Sequence, residues 1–229
     1  MRISNRSGIV VSLVFLVLLI DQCLKIWVKT NMQYGEEFGI LGLSWARIHF
    51  VENEGMAFGL SLGGNLGKLT LSIFRLVAVG FLIYIINSLI KAKETFGVIL
   101  SFSLILAGAL GNILDSAFYG LIFSNTPYHG GLATLFPEGG GYASFLFGKV
   151  VDMLYFPIID TTFPESLPVW GGQRFQFFRP VFNISDAAIS TGVITLLLFH
   201  RRIFKSKASP AELSQENKLV ENEITPSEN

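Results

Sequence analysis

TFGVILSFSLILAGALGNIL, residues 95–114, is twenty residues long without one charged side chain, and the residue that closes it is Asp115. As a helix rising 1.5 Å per residue it reaches about 30 Å, the thickness of a bilayer's hydrocarbon. Three more segments approach that length and polarity, at about 8–27, 69–90 and 181–200. The chain of 229 residues is 51% hydrophobic and 15% charged. These features predict an all-α membrane protein with four transmembrane helices.

Basic flanks set the expected orientation. Arg2 and Arg6 precede the first span, Lys91 and Lys93 lie in the tight second turn, and Arg201, Arg202, Lys205 and Lys207 follow the fourth. Both termini are therefore expected to be cytoplasmic, with loops 28–68 and 115–180 on the other side. SWARIHFVEN (44–53) alternates as a strand does and is bounded by Gly55, Gly59, Gly63 and Gly64, which predicts a small extracytoplasmic β element. FPEGGGYASFLFG (136–148) and FPIIDTTFPESLPVWGG (156–172) are too apolar for a solvated linker and too broken for a span. They predict an amphipathic periplasmic loop with its rings at headgroup depth. Residues 1–205 are expected to form one membrane-embedded domain and 206–229 a polar, disordered cytoplasmic tail. Arg75, near the outer end of the second span, is expected to snorkel to the headgroups.

Several classes fall away. Zero net charge without a basic patch speaks against a nucleic-acid partner. Cys23 is alone, so no intrachain disulfide forms. His49, His129 and His200 lack metal-ligand spacing, and no G-x-S-x-G turn supports a serine nucleophile. The apolar start lacks a small-x-small cleavage site, and IDQC lacks the small residue that lipid attachment needs before its Cys.

Carboxylates inside apolar runs are costly and usually mark function. Asp21 falls roughly 20 Å along the first span and Asp186 roughly 8 Å into the fourth, while Asp115 closes the third and Asp152 lies in the outer loop within KVVDMLYF. All four fall toward one side of the membrane. Asn112 and Asn183, each three residues before an acid, share its helix face. Three chemistries can use such a cluster: a carboxylate pair sharing a proton, a metal site, or an ion relay. A relay is the weaker case, since transporters place their acids at the midplane between repeated halves.

Read in order, Asp21-Gln22-x-x-Lys25, Asn53-x-Gly55-x-Ala57-Phe58, Gly108-Ala109-Leu110-Gly111-Asn112-x-x-Asp115, Val150-Val151-Asp152 and Phe182-Asn183-Ile184-Ser185-Asp186 resemble the signature blocks of the lipoprotein signal peptidases, or signal peptidase II. The resemblance implies an aspartyl endopeptidase of the bacterial inner membrane that removes signal peptides from prolipoproteins, cutting just before a diacylglyceryl-modified cysteine. It makes Asp152 and Asp186 the catalytic pair. Asp21, Lys25, Asn53, Gly55, Ala57, Asn112, Asp115 and Asn183 become substrate-binding or supporting residues. It implies no cofactor and no metal, a lipidated prolipoprotein and membrane lipid as partners, a monomer, and a site near the outer leaflet. The alternatives are a non-enzymatic protein binding ions or lipid through the acid cluster, and an intramembrane protease of the presenilin kind, whose G-x-G-D motif is absent. The chain departs from the family at Ser116, usually Arg, and Ser185, usually Ala. Lys149 and Arg179 are candidates to replace the arginine's charge.

Overall fold

The computed structural model describes residues 3–53, 64–177 and 179–199. Helix α1 (Ile3–Asn31) leads into strands β1 (Glu37–Gly39) and β2 (Arg47–Asn53). Helices α2 (Gly64–Lys91) and α3 (Phe96–Leu114) follow as an antiparallel pair. A π-turn, Asp115–Tyr119, and the single turn α4 (Gly120–Ile122) prolong α3. Beyond an irregular stretch come β3 (Val150–Tyr155), the hairpin strands β4 (Ile159–Thr162) and β5 (Arg174–Phe177), the short β6 (Val181–Phe182), and α5 (Ile184–Phe199).

Three of these helices are long and apolar enough to cross a membrane, over Asn5–Asn31, Leu66–Lys91 and Phe96–Ile122. α5 is as apolar but has 16 described residues, roughly 24 Å of helix. Val11, Phe15 and Leu16 on α1, and Phe74, Val77, Phe81 and Tyr84 on α2, stand more than half uncovered. That much contiguous apolar surface suits hydrocarbon and not water. α3 is the central helix, packing on α1, α2 and α5. Val10, Val79, Ile86, Ile90, Ile99 and Leu106 form the core between the first three.

At one end of the bundle lies an antiparallel sheet ordered β1-β2-β3-β6. Val28 and Met32 of α1 pack with Ile48 and Phe50 of β2, Val151 and Met153 of β3, and Tyr119 and Phe123 beyond α3. Because side chains alternate along a strand, Val151 and Met153 enter this core while Asp152 between them faces away from it, yet all three are buried. The β2–β3 register shifts between Ile48 and Val51, where a bulge fits the strand to its neighbours.

The structure corrects several expectations. The run around Asp152 is a central strand, not part of a loop, because two-sided burial hides the alternation that marks a strand in sequence. The third apolar helix does not stop at Asp115 but runs on to Ile122. α2 begins at Gly64, before the apolar run, and residues 181–182 are a strand, so α5 starts only at Ile184. Residues 156–177 form a hairpin on which Ile159 pairs with Phe177 and Asp160 with Gln176. Gly55, Ala57, Phe58, His200 and the expected tail lie outside the described residues.

Candidate active site

The polar stripe of α1 starts the site. Asp21, Lys25 and Lys29 recur one turn apart and are fully buried on a helix whose other faces are apolar and uncovered. The Lys25 ammonium meets Asp21 at 2.9 Å and Asp115 at 2.8 Å, and donates to Asn112 Oδ1 at 3.1 Å. Gln22 adds a second donor, its amide reaching Asp115 at 2.9 Å while its carbonyl accepts from the Tyr119 hydroxyl at 3.1 Å. Two carboxylates around one cation leave a negative charge that needs further donors in a buried place. Backbone supplies them: Ser185 N–H donates to Asp21 at 2.9 Å, and Val151 N–H to Asp115 at 3.2 Å. Asp21 thus anchors α5, and Asp115 anchors β3.

Above this layer sit Asp152 and Asp186, linked through two asparagines. Asn183 donates to Asp152 Oδ1 at 2.7 Å and to Asn112 Oδ1 at 3.1 Å. Asn112 in turn donates to Asp186 Oδ1 at 2.8 Å. Asn53, at the end of β2, donates to the other Asp152 oxygen. Asn183 also caps α5, accepting from Asp186 N–H at 2.9 Å. One chain of contacts therefore runs from Lys25 through Asn112 to Asp186, and through Asn183 to Asp152.

Glycine makes the close approach possible. A Cβ at Gly111 would strike the Ser185 side chain and come within 2.8 Å of Asp21 Oδ2. The backbone of Gly148 lies against the π-turn, its N–H donating to Ser116 O at 2.8 Å, which sets β3 beside Asp115.

Burial pushes the Asp152 carboxyl up to about 7, and the neighbouring charge of Asp186 adds to the rise. A carboxyl so raised beside a second one equips the two to act as acid and base on a water and a carbonyl.

Two features depart from what the sequence suggested, one unforeseen and one expected elsewhere. Lys29, one turn beyond Lys25, is buried against Glu52, donates to Thr126 Oγ1 at 2.9 Å, and lies over the rings of Phe123 and Tyr142. The i, i+4 spacing from Lys25 is a signal that could have found it. The other is Arg75. It does not turn outward to the headgroups but lies on the α2 face shared with buried Ser72 and Val79, and donates to Ser116 Oγ at 3.3 Å. Neither candidate for replacing that charge is there: Lys149 rests over Tyr128 and Tyr142 near Glu52, and Arg179 is exposed beside β6. Of the site residues expected from sequence, Asp21, Lys25, Asn53, Asn112, Asp115, Asp152, Asn183 and Asp186 come together here, while Gly55 and Ala57 lie outside the described residues.

Comparison with known proteins bears on this geometry. A family model described as signal peptidase (SPase) II matches residues 13–202. A protein of Porphyromonas gingivalis named lipoprotein signal peptidase is 50% identical over 198 residues, covering 86% of this chain and 84% of that one. One of the same name from Amoebophilus asiaticus is 35% identical over 203 residues, 87% and 80% of the two chains. A solved structure titled as a bacterial membrane enzyme superposes with a TM-score of 0.53 over 88% of this chain and 94% of its own, at 21% identity, a likeness of fold.

Proposed function

The chain belongs to the signal peptidase II family of membrane aspartic proteases, and from that membership we propose that Asp152 and Asp186 are its catalytic pair. It is a bacterial membrane enzyme that processes prolipoproteins, and nothing supports the ion- or lipid-binding alternative. The observation that carries the site assignment is the Asn112–Asn183 bridge, which fixes two carboxyls of different helix and strand at one place.

In the reaction, the pair holds one proton, carried by Asp152 below about pH 7. Asp186 takes a proton from water as its oxygen attacks the scissile carbonyl carbon, and Asp152 gives its proton to the carbonyl oxygen. Collapse of the tetrahedral species breaks the C–N bond, the leaving nitrogen taking the proton from Asp186 while a hydroxyl of that species returns one to Asp152. The bond cut precedes a diacylglyceryl-modified cysteine, whose acyl chains lie in the lipid beside the apolar helices and hold the bond at the site. Asp21, Lys25, Asn53, Asn112, Asp115 and Asn183 position the pair. Gly55 and Ala57 belong to the same role through their sequence block. Four spans, α5 being the fourth, put both termini in the cytoplasm and the site near the outer leaflet of the inner membrane. The enzyme acts as a monomeric domain of residues 1–205, without a cofactor.

The test is cleavage of a synthetic lipidated precursor by purified Asp152→Asn and Asp186→Asn proteins. Each is expected to insert normally and to lose activity by a factor on the order of 10² or more. Turnover close to the parent's by either variant would overturn the assignment.

A further inference from the structure

We propose that Arg75 is a positioning residue of the proteolytic site, its guanidinium laid on the Ser116 hydroxyl so as to hold the charge of the Asp152–Asp186 pair from the α2 side. The proposal rests on the assignment of those two acids as the catalytic pair.

Placement comes first. Between Lys68 and Lys91, Arg75 is the sole charged residue of α2, a helix otherwise suited to hydrocarbon. A cation inside such a span is expensive and is kept where it has work among other polar groups. Ile73, Phe74, Leu76 and Val77 around it are uncovered, whereas Ser72 three residues before and Val79 four residues after are buried. Arg75 therefore lies on the side of α2 turned into the protein.

Connection comes next. Ser116 Oγ accepts from Arg75 and donates to Asn112 O at 3.1 Å. Asn112 holds Asp186 by its side chain, and Ser116 directly follows Asp115.

Charge balance gives the reason. The charged groups joined to the pair through Asn112 and Ser116 are Lys25 with its partners Asp21 and Asp115, and Arg75 from α2. With one proton shared by Asp152 and Asp186, these four acids carry three negative charges, and Lys25 answers one. Arg75 answers a second, from the α2 side.

The experiment compares kcat/KM against pH for the full-length parent, Arg75→Met, Arg75→Lys and Ser116→Ala on a synthetic diacylglyceryl precursor, with thermal unfolding measured in the same detergent. Removing a nearby cation disfavours the ionised carboxylate, so the acid limb of Arg75→Met is expected to move up by on the order of one pH unit. Arg75→Lys keeps the charge and should keep the limb. Ser116→Ala, which removes the rest for the guanidinium, should move it the same way by less. A purely structural Arg75 would instead lower the rate by one factor at every pH, and an unmoved limb in a stably inserted Arg75→Met overturns the proposal. If Arg75→Met cannot be recovered, an unmoved limb in Ser116→Ala does so. Activity surviving in Asp152→Asn would sink the catalytic pair itself, a result distinct from either.

Discussion

Asn183 and Asp186 are bonded to each other twice: the Asn183 side-chain oxygen accepts from Asp186 N–H at 2.9 Å, and the Asp186 carboxylate accepts from Asn183 N–H at 3.3 Å. This is the reciprocal arrangement that starts many helices, here made with a proposed catalytic acid as one partner. Asn183→Ala loses the cap and the tie to Asp152 together. It is expected to lose about 1 kcal/mol or more of stability and most of its cleavage. Asn183→Asp can still cap but loses the amide donors and buries a carboxyl against Asp152, so it should melt below the parent and be inactive. An active Asn183→Asp protein would show that the bridge to Asp152 is dispensable.

Asp21 separates holding from chemistry. Its partners are the Ser185 N–H and Lys25. Asp21→Asn retains an acceptor for that amide and should be impaired only in part. Asp21→Ala strands the buried N–H and should cost about 1 to 3 kcal/mol, read by thermal unfolding in detergent. An Asp21→Ala protein as stable as the parent but wholly inactive would move Asp21 into the reaction.

The raised Asp152 carboxyl makes both stability and rate depend on pH. The folded protein holds that proton more tightly than the unfolded chain, so this group's contribution is greatest below the ordinary carboxylate range and declines as pH rises toward about 7. Cleavage should then fall above about pH 7 as the shared proton is lost. Asp152→Asn should flatten the decline in melting temperature between pH 4 and pH 7, values set by the ordinary and raised positions of the group. A slope equal to the parent's would place the titration elsewhere.

Gly111→Ala inserts a methyl where Ser185 and Asp21 already stand, pushing α5 away from α3. A loss of both melting temperature and activity is expected. Gly80→Ala, which meets nothing within 4 Å inside α2, should be neutral or stabilising by up to about 1 kcal/mol. Equal behaviour of the two variants would remove the packing argument.

How much of this was readable from the sequence depended on which signal each residue carries. The apolar runs and the five polar blocks announced the membrane helices and the gathering of Asp21, Asn112, Asp115, Asp152 and Asn183, because a charge in hydrocarbon is rare enough to stand out. The strand holding Asp152 was hidden, since burial on both faces erases its alternation. Arg75 was misread for a related reason: its place near the end of a span fitted snorkelling, and only the bundle shows that Ser72 and Val79 share its face. The pairing of Asp21 with Ser185 joins residues 164 positions apart, beyond any local pattern.

The i, i+4 pairing of Asp21 with Lys25 bears on biogenesis. α1 leaves the ribosome before Asn112, Asp115 and Ser185 exist, so neither charge can yet meet its distant partners. One helical turn apart, the two neutralise each other within the nascent segment, which can enter lipid as a dipolar unit. The arrival of α3 and then α5 converts that provisional pair into the floor of the finished site.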